Sequence, residues 1–390
     1  MIYYGKQDIS QQDIDEVVAV LNSDFLTQGP KVPLFEKKVC VLTNASYAVA
    51  SNSATSALHI ACLALGVKQG DIVWTSPNSF VASANCALYC NAKVDFVDID
   101  PDTFNLCPFA LEQKLLVAKA NGKLPKVIIP VHFSGQSCDM KSLSLLAKEY
   151  GFFIIEDGSH AIGGSYNNQP IGSCEFSDIC VFSFHPVKII TTAEGGMATT
   201  GNAKLAEKMK LFRSHGVTRE VELLEKQDPA PWYYEQVGLG YNYRMTELQA
   251  ALGISQLIRI QEFIERRRMI ATRYQVALVG LDLHLPCNSE SSAWHLFVIR
   301  INVEKYCKRK VYNRLKELGV AVNVHYIPIH LQPYYAAMGF KEGDFPHAEA
   351  YYQSALSIPL YPAMTLLEQD LVISTLKKVL SSTDSQDARN

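Results

Sequence analysis

The chain has 390 residues, of which 48% are apolar and 19% are charged, and its formal net charge is −3. This composition is typical of a globular protein with room for one large and one smaller domain, and it argues against a nucleic-acid-binding or membrane-surface protein. Because no uncharged run reaches ~18 residues and no basic region precedes an apolar core at the N-terminus, we expect a cytoplasmic protein.

Ten cysteines are spread along the chain, and none of them forms a C-x-x-C pair. Most lie within apolar segments, as do Cys62, Cys86, Cys90 and Cys180. Buried free thiols are common in protein cores, whereas disulfide frameworks and zinc sites need paired or clustered cysteines. We therefore predict reduced core thiols and no metal site.

Two helices and a turn-rich loop are predicted at the start of the chain. Apolar residues recur at helical spacing over residues 10–22, and Ser10 is suited to cap that helix. The loop at residues 25–32 contains a Gly-Pro pair, which interrupts regular structure. A second helix is predicted around residues 35–42.

A strand at residues 47–51 is expected to run into a helix at residues 52–65 through Ser53, Ala54 and Thr55. The free N–H groups and the positive dipole end of such a helix can bind a phosphate, and small residues let the backbone approach it. Serine and threonine also cap helices that bind nothing. The segment therefore predicts either an anion site or a plain helix start.

Strands and helices then alternate along the chain. We predict strands at residues 72–75, 94–97, 126–131 and 152–155, with helices at 111–120 and 143–150 and another soon after residue 80. Such alternation predicts a mostly parallel sheet covered on both faces, with a site at the carboxyl ends of its strands.

Three side chains follow strand ends in this predicted sheet. Phe80 comes after the strand at 72–75, where a ring can stack on a flat ligand or pack into the core. Asp157 and His160 come after the strand at 152–155. Asp157 could also cap a turn, but it lies at the edge of the sheet where a site is expected.

Lys188 lies in a loop between two further predicted strands, at residues 179–184 and 197–200. A partly desolvated lysine has a lowered pKa and a nucleophilic amine, although most loop lysines are simply solvated. This lysine comes one strand after Asp157, at the same edge of the sheet. An amine, a carboxylate, a phosphate-binding helix start and an aromatic ring are together what pyridoxal phosphate (PLP) requires.

Eight segments make the chain resemble the DegT/StrS family of PLP-dependent sugar-nucleotide aminotransferases over nearly its whole length. These are LTQGP (26–30), NSATSAL (52–58), EDGSH (156–160), SFHPVK (183–188), TTAEGG (191–196), FRSHG (212–216), YNYRMTELQAALG (241–253) and HYIPIH (325–330). The resemblance implies the fold of aspartate aminotransferase, PLP fold type I. In that fold a large PLP-binding domain, expected here at residues 1–255, carries a mostly parallel seven-stranded sheet, and a smaller α+β domain follows at residues 256–390.

The resemblance also implies roles for single residues. Lys188 would bind the cofactor aldehyde, Asp157 would pair with the pyridine nitrogen, and His160 would hydrogen-bond the phenolic oxygen. Phe80 would stack on the cofactor ring. The residues implied to hold the phosphate are Ala54, Thr55 and Ser183, together with Asn242 of the neighbouring subunit in a homodimer with shared active sites. The residues implied to bind substrate are Thr27, Gln28, Arg244, His325 and Tyr326, with His330 also in the cleft.

One residue departs from the family pattern. Many relatives carry glycine where Ala54 stands, and the added methyl restricts this turn to ordinary backbone dihedrals.

The C-terminal third is expected to form the smaller domain. We predict a long helix at residues 259–280, and the segments at 294–301, 311–318 and 320–324 are expected to supply further strands and helices of this domain. The arginine run at 266–268 is expected to form a solvated face rather than an anion site. Residues 381–390 are expected to form a frayed tail.

The activity implied by the resemblance is transfer of an amino group from L-glutamate to C4 of a UDP-4-keto-6-deoxy-N-acetylhexosamine, as in pseudaminic acid biosynthesis. Two alternatives remain within PLP chemistry: a dTDP- or GDP-linked ketosugar as substrate, or a PLP enzyme of another reaction type, such as an amino-acid aminotransferase or a desulfurase. A dinucleotide-dependent oxidoreductase is disfavoured because no G-x-G-x-x-G follows any predicted strand.

Overall fold

The computed structural model describes residues 1–227, 230–287 and 289–382. Most of the predicted tail, residues 383–390, lies outside the described residues. Ser381 and Ser382 belong to the last helix instead.

The strands are short and lie mostly in the first half of the chain. They are β1 (Ile2–Tyr3), β2 (Tyr47–Ser51), β3 (Ile72–Thr75), β4 (Lys93–Phe96), β5 (Val127–Ile129), β6 (Phe153–Asp157), β7 (Ser165–Tyr166), β8 (Gln169–Pro170), β9 (Ile179–Ser183), β10 (Gly196–Thr200), β11 (Val217–Thr218), β12 (Glu235–Gln236), β13 (Leu283–His284), β14 (Phe297–Ile301), β15 (Val320–Ala321) and β16 (Ala355–Ile358).

The helices alternate with the longer strands. They are α1 (Gln11–Leu21), α2 (Lys31–Thr43), α3 (Ala54–Ala64), α4 (Ala82–Tyr89), α5 (Pro108–Ala120), α6 (Met140–Tyr150), α7 (Ala203–Arg213), α8 (Glu247–Ile258), α9 (Ile260–Ala277), α10 (Lys308–Glu317), α11 (Pro333–Ala336), α12 (Pro346–Ser354) and α13 (Leu366–Ser382). Short 3₁₀ turns occur at Phe133–Gly135, Val221–Leu223 and Ile329–Leu331.

Seven strands form the central sheet in the order β2-β10-β9-β6-β5-β3-β4. The neighbours from β9 to β4 pair in parallel, whereas β10 is antiparallel to both β2 and β9. The predicted mostly parallel seven-stranded sheet is thus confirmed. Strand β9 is apolar from Ile179 to Phe182, and β6 is buried from Ile154 to Asp157, because helices cover both faces of the sheet.

A second sheet of three antiparallel strands, β13-β14-β16, is built from the C-terminal third of the chain. It packs with α9, α10 and α13 around its own cluster of buried side chains, which Ile2 from the N-terminus also joins. An α+β arrangement is therefore present where the smaller domain was predicted. The boundary near residue 255 stays a prediction.

Of the segment at 294–301, only Phe297–Ile301 forms a strand, and Trp294 before it has a positive φ of 49°. One C-terminal expectation was wrong. The arginine run is not a solvated face, since Arg267 is only 1% exposed and donates hydrogen bonds to the carbonyls of Trp294, His295 and Leu360. Helical periodicity turns the middle arginine of the run inward.

None of the helices within residues 1–227, 230–287 and 289–382 is both long and apolar enough to cross a lipid bilayer.

Candidate active site

The site lies where β6, β9 and β10 meet the start of α3. Asp157 is the last residue of β6 and Ser183 the last residue of β9, while Lys188 lies in the loop that joins β9 to β10. In the sheet, Gly196 at the start of β10 pairs with Ser183 on one side and with Ser51 on the other. Strand order thus brings together an amine and a carboxylate that are 31 residues apart.

Asp157 is buried, with 5% of its surface exposed, and both of its carboxylate oxygens have donors. Oδ2 accepts a hydrogen bond of 2.6 Å from the hydroxyl of Ser83, and Oδ1 accepts one of 3.1 Å from the N–H of Ser159. Buried charges persist when hydrogen bonds compensate them. Asp157 is therefore a fixed carboxylate rather than a simple turn cap.

Lys188 is half-buried, and within the described part of the chain no group accepts a hydrogen bond from its ammonium. Burial lowers the pKa of Lys188 to about 8, and the negative charge of Asp157 opposes that shift. Desolvation disfavours the charged form of an amine. The structure therefore gives Lys188 the lowered pKa that a nucleophilic lysine needs.

His160 is a neutral imidazole. Its Nδ1 accepts a hydrogen bond of 3.3 Å from the N–H of Ser134, so the ring proton is assigned to Nε2, which lies 3.1 Å from the hydroxyl of Tyr326. Burial, together with the positive charge of Lys188, holds the pKa of His160 well below its usual range. Its Nε2–H can therefore donate to an oxygen in the site.

Two further histidines pack beside His160. His325 is held by the hydroxyl of Ser357 at 2.8 Å and the amide of Asn323 at 3.3 Å, and burial lowers the pKa of His325 to about 3. His295 was not found from the sequence, although its ring centroid lies 4.4 Å from that of His160. Its Nδ1 is buried and has no partner among the described residues. No local sequence pattern marks His295, because the residues that hold its backbone, Arg267 of α9 and Ser134, are distant in sequence.

The start of α3 has the features of an anion site. Ser53 caps the helix by accepting from the N–H of Ser56, and no described residue accepts from the N–H groups of Ala54 or Thr55. Gly196 lets the start of β10 lie close to the start of α3. A Cβ at this position would lie 2.4 Å from the carbonyl carbon of Ser53. Ala54 has helical backbone geometry, so its methyl does not strain the turn.

Phe80 is on the surface of the site, not in the core. Its side chain is 61% exposed, and its ring centroid lies 6.4 Å from that of Tyr326. An exposed aromatic ring, a lysine of lowered pKa, a fixed carboxylate and free N–H groups at one edge of the sheet fit PLP, which offers a flat ring, an aldehyde, a ring nitrogen and a phosphate.

Of the predicted substrate residues, Gln28 and Arg244 line one cavity of about 190 Å³, which Arg213 and Ser214 also line. Thr27 and Asn242 are exposed. His330 lies elsewhere: it is fully buried, and its Nε2 is 2.9 Å from a carboxylate oxygen of Glu349, so its role is in packing. Arg213 and Ser214 belong to the FRSHG segment, to which no site role was assigned from the sequence.

Known proteins match the chain closely. The DegT/DnrJ/EryC1/StrS aminotransferase family model covers residues 7–377. A UDP-4-amino-4,6-dideoxy-N-acetyl-beta-L-altrosamine transaminase of Campylobacter jejuni is 37% identical over 384 residues, which is 97% of this chain and 98% of the relative.

Solved structures agree with that match. PseC of Helicobacter pylori, an aminotransferase involved in the biosynthesis of pseudoaminic acid, superimposes with a TM-score of 0.88 at 32% identity, over 98% of this chain and 99% of PseC. The PLP form of Spr1654 from Streptococcus pneumoniae gives 0.88 at 30% identity, over 98% of this chain and 100% of Spr1654. The chain therefore belongs to the DegT/DnrJ/EryC1/StrS aminotransferase family and is a PLP-dependent sugar aminotransferase.

Proposed function

We propose that this enzyme transfers an amino group from L-glutamate to C4 of a UDP-4-keto-6-deoxy-N-acetylhexosamine, in the biosynthesis of pseudaminic acid or a related surface-glycan sugar. The observation that carries the aminotransferase chemistry is the half-buried amine of Lys188, close enough to Asp157 for that carboxylate to influence its pKa. The choice of sugar is supported by the likeness to the Campylobacter jejuni transaminase and to PseC.

Lys188 is the proposed proton carrier. When bound, PLP supplies an aldehyde that condenses with amines and a ring that takes up electron density. With a pKa of about 8, roughly a tenth of the Lys188 amine is neutral at pH 7, against about 1 in 2,500 for an ordinary lysine. The neutral amine can take a proton from the donor's α-carbon and return one at C4 of the sugar, which is typically worth ~10²–10⁴ in rate.

The remaining groups hold and orient the cofactor. Asp157 would keep a negative charge at the ring nitrogen, His160 would donate its Nε2–H to the phenolic oxygen, and Phe80 would stack on the ring. The free N–H groups of Ala54 and Thr55 would bind the phosphate, with the Ser183 hydroxyl at the end of the neighbouring strand. Anions are favoured at a helix N-terminus because free N–H groups and the dipole act together.

The predicted substrate residues divide into two groups. Gln28 and Arg244 line a cavity together with Arg213 and Glu36. Arg213 is already paired with Glu36 at 2.7 Å, so Arg244 is the proposed partner for the anionic diphosphate of a nucleotide sugar. Exposed Thr27 is the residue before Gln28. Tyr326 presents its hydroxyl at the His160 edge of the site, and burial raises its pKa, so it stays a neutral hydrogen-bonding group. His325 supports this region, because both of its ring nitrogens are already bound to protein.

A substrate panel tests the proposed reaction. We expect glutamate-dependent amination of a UDP-linked 4-keto-6-deoxy-N-acetylhexosamine, followed by mass spectrometry, at a kcat/KM at least tenfold above that of dTDP- or GDP-linked ketosugars. Aspartate and alanine in place of glutamate should give lower rates. Preference for a dTDP or GDP sugar would replace the proposed nucleotide, and robust amination of a simple α-keto acid with none of the UDP sugar would contradict the proposal.

We also propose a homodimer in which Asn242 of one chain completes the phosphate site of the other. Asn242 is exposed, and its carbonyl lies 3.5 Å from the amide nitrogen of Asn52, at the edge of the sheet where α3 begins. Because the side chain of Asn242 is exposed, it is accessible to a second copy of the chain.

Mixing two inactive variants tests this arrangement. Lys188→Ala and Asn242→Ala homodimers should each be weak, whereas a hybrid dimer has one site with both defects and one with neither. We expect each hybrid to recover up to about half of the wild-type activity. If mixed and re-equilibrated samples stay as inactive as the parents, Asn242 does not act across the interface.

A further inference from the structure

Two serines extend the hydrogen bonding of Asp157 into the protein. The Ser83 hydroxyl lies 2.6 Å from Oδ2 of Asp157, and the Ser79 hydroxyl lies 2.8 Å from that of Ser83. Ser83 is completely buried and Ser79 is 3% exposed. The chain of groups Ser79–Ser83–Asp157 is therefore shielded from water.

The ionised carboxylate of Asp157 determines which hydroxyl donates in each hydrogen bond of this series. An ionised carboxylate only accepts hydrogen bonds, so Ser83 must donate to Asp157. The oxygen of Ser83 is then free to accept, and the proton of Ser79 points to it. Hydrogen bonds in such a series strengthen one another, and those to an ionised group are the strongest.

The backbone keeps the two serines in place. Ser79 and Ser83 are four residues apart, on one turn that leads into α4, and the N–H of Ser83 bonds the carbonyl of Phe80 at 3.3 Å. Phe80 lies between them and faces outward. One short segment thus carries the exposed ring on one side and the hydroxyl pair on the other.

Asp157 would turn about its side-chain bonds if Ser83 did not hold it. The N–H of Ser159 fixes only Oδ1, at 3.1 Å. With Ser83 on Oδ2, both oxygens are fixed, so the carboxylate plane is set before any ligand binds. Preorganised charges stabilise a ligand more because they need not reorient on binding.

We propose that Ser83, supported by Ser79, is a positioning residue that fixes the Asp157 carboxylate for the ring nitrogen of PLP. This inference rests on the proposed pairing of Asp157 with that nitrogen. Ser83 itself does not touch the cofactor, and its effect passes through Asp157.

Cofactor affinity tests the proposal without any measurement of turnover. Apoenzyme is titrated with PLP and with 1-deazapyridoxal phosphate, in which a C–H replaces the ring nitrogen, and Kd is read from the change in absorbance. Ser83→Ala should raise the Kd for PLP about fivefold and leave the Kd for the deaza compound within about twofold. Ser79→Ala should raise the Kd for PLP relative to that for the deaza compound by about twofold. This variant still tests the proposal if Ser83→Ala fails to fold.

Control variants separate the possible failures. Ser354→Ala removes a buried hydroxyl that bonds only helix carbonyls in α12, and both affinities should stay unchanged. Asp157→Asn should weaken PLP binding selectively and more strongly than Ser83→Ala. If Asp157→Asn is selective but neither serine variant is, the positioning role is overturned. Equal losses for both ligands in Ser83→Ala would show a merely structural role. If Asp157→Asn weakens the binding of both ligands equally, Asp157 does not pair with the ring nitrogen, and the proposed role of Ser83 is overturned with that pairing.

Discussion

Replacing Lys188 with alanine is expected to abolish transamination while the protein still folds and binds PLP without a covalent link. The variant loses both the amine that would attach the cofactor and the base that would move the proton, so activity should fall by at least ~10²–10⁴. The loss is measured by single-turnover kinetics with glutamate, and the covalent link by borohydride reduction followed by peptide mass spectrometry.

Lys308 offers a matched control. It is also half-buried, and burial lowers its pKa to about 8, but its ammonium lies 4.4 Å from the ring of Tyr352 in the C-terminal part of the chain. A lowered pKa alone would make both lysines reactive. We expect borohydride to label Lys188 only and Lys308→Ala to keep its activity within about twofold. A reducible link that persists in Lys188→Ala would mean that another lysine is the nucleophile.

The pH dependence of cofactor attachment follows from the same lysine. The amine attacks only in its neutral form, and its pKa of about 8 means that this form increases as pH rises through 8. The rate at which apoenzyme binds PLP covalently should therefore rise between pH 6 and 9 and level off above that range.

The predicted sheet and the residues at its edge could be found from the sequence for a physical reason. Parallel strands buried on both faces are apolar throughout, and each ends where the chain turns polar, as at Asp157 and at Ser183. Because all such ends lie at one edge, order along the chain predicts proximity in space. Lys188, Asp157 and the α3 helix start are brought together by this rule.

Other parts of the site depend on contacts that no local pattern reveals. His295 comes from the C-terminal third of the chain, yet its N–H bonds the carbonyl of Ser134 and its ring packs on His160. In the sequence, Ser83 resembles any serine at the start of a helix. Its contact with Asp157 is seen only in the folded chain, where β6 places Asp157 beside it. These are long-range contacts, and they become visible only when the sheet is assembled.

The burial of one arginine in the run at 266–268 could not be predicted from the sequence either. Three successive arginines were expected to face water, because burying a guanidinium is costly unless it is hydrogen-bonded. Arg267 meets that condition with three backbone carbonyls, one of them from His295. These carbonyls belong to loops distant in sequence, so composition could not reveal which arginine of the three would be buried.

Replacing Asp157 with asparagine is expected to leave the fold intact and to slow transamination by about 10–10³-fold. A nearby carboxylate commonly shifts the pKa of a cationic partner by ~1–3 units, and each unit is worth about 1.4 kcal/mol. Asparagine keeps the shape and can still accept from Ser83, but it has no charge with which to hold a proton on the ring nitrogen. Its amide can also turn a donor toward the N–H of Ser159, which adds a small loss of stability.

Asp178→Asn is the matched control for this substitution. Asp178 precedes β9 at the opposite edge of the same sheet, where its Oδ2 accepts from the N–H of Ile154 at 2.8 Å, and burial raises its pKa. Removing that charge should leave the rate within about twofold, because the proposed cofactor site lies at the other edge. Single-turnover kinetics with glutamate distinguish the two variants. If Asp157→Asn reacts as fast as the wild type, or if both variants slow equally, the carboxylate of Asp157 does not act on the ring nitrogen.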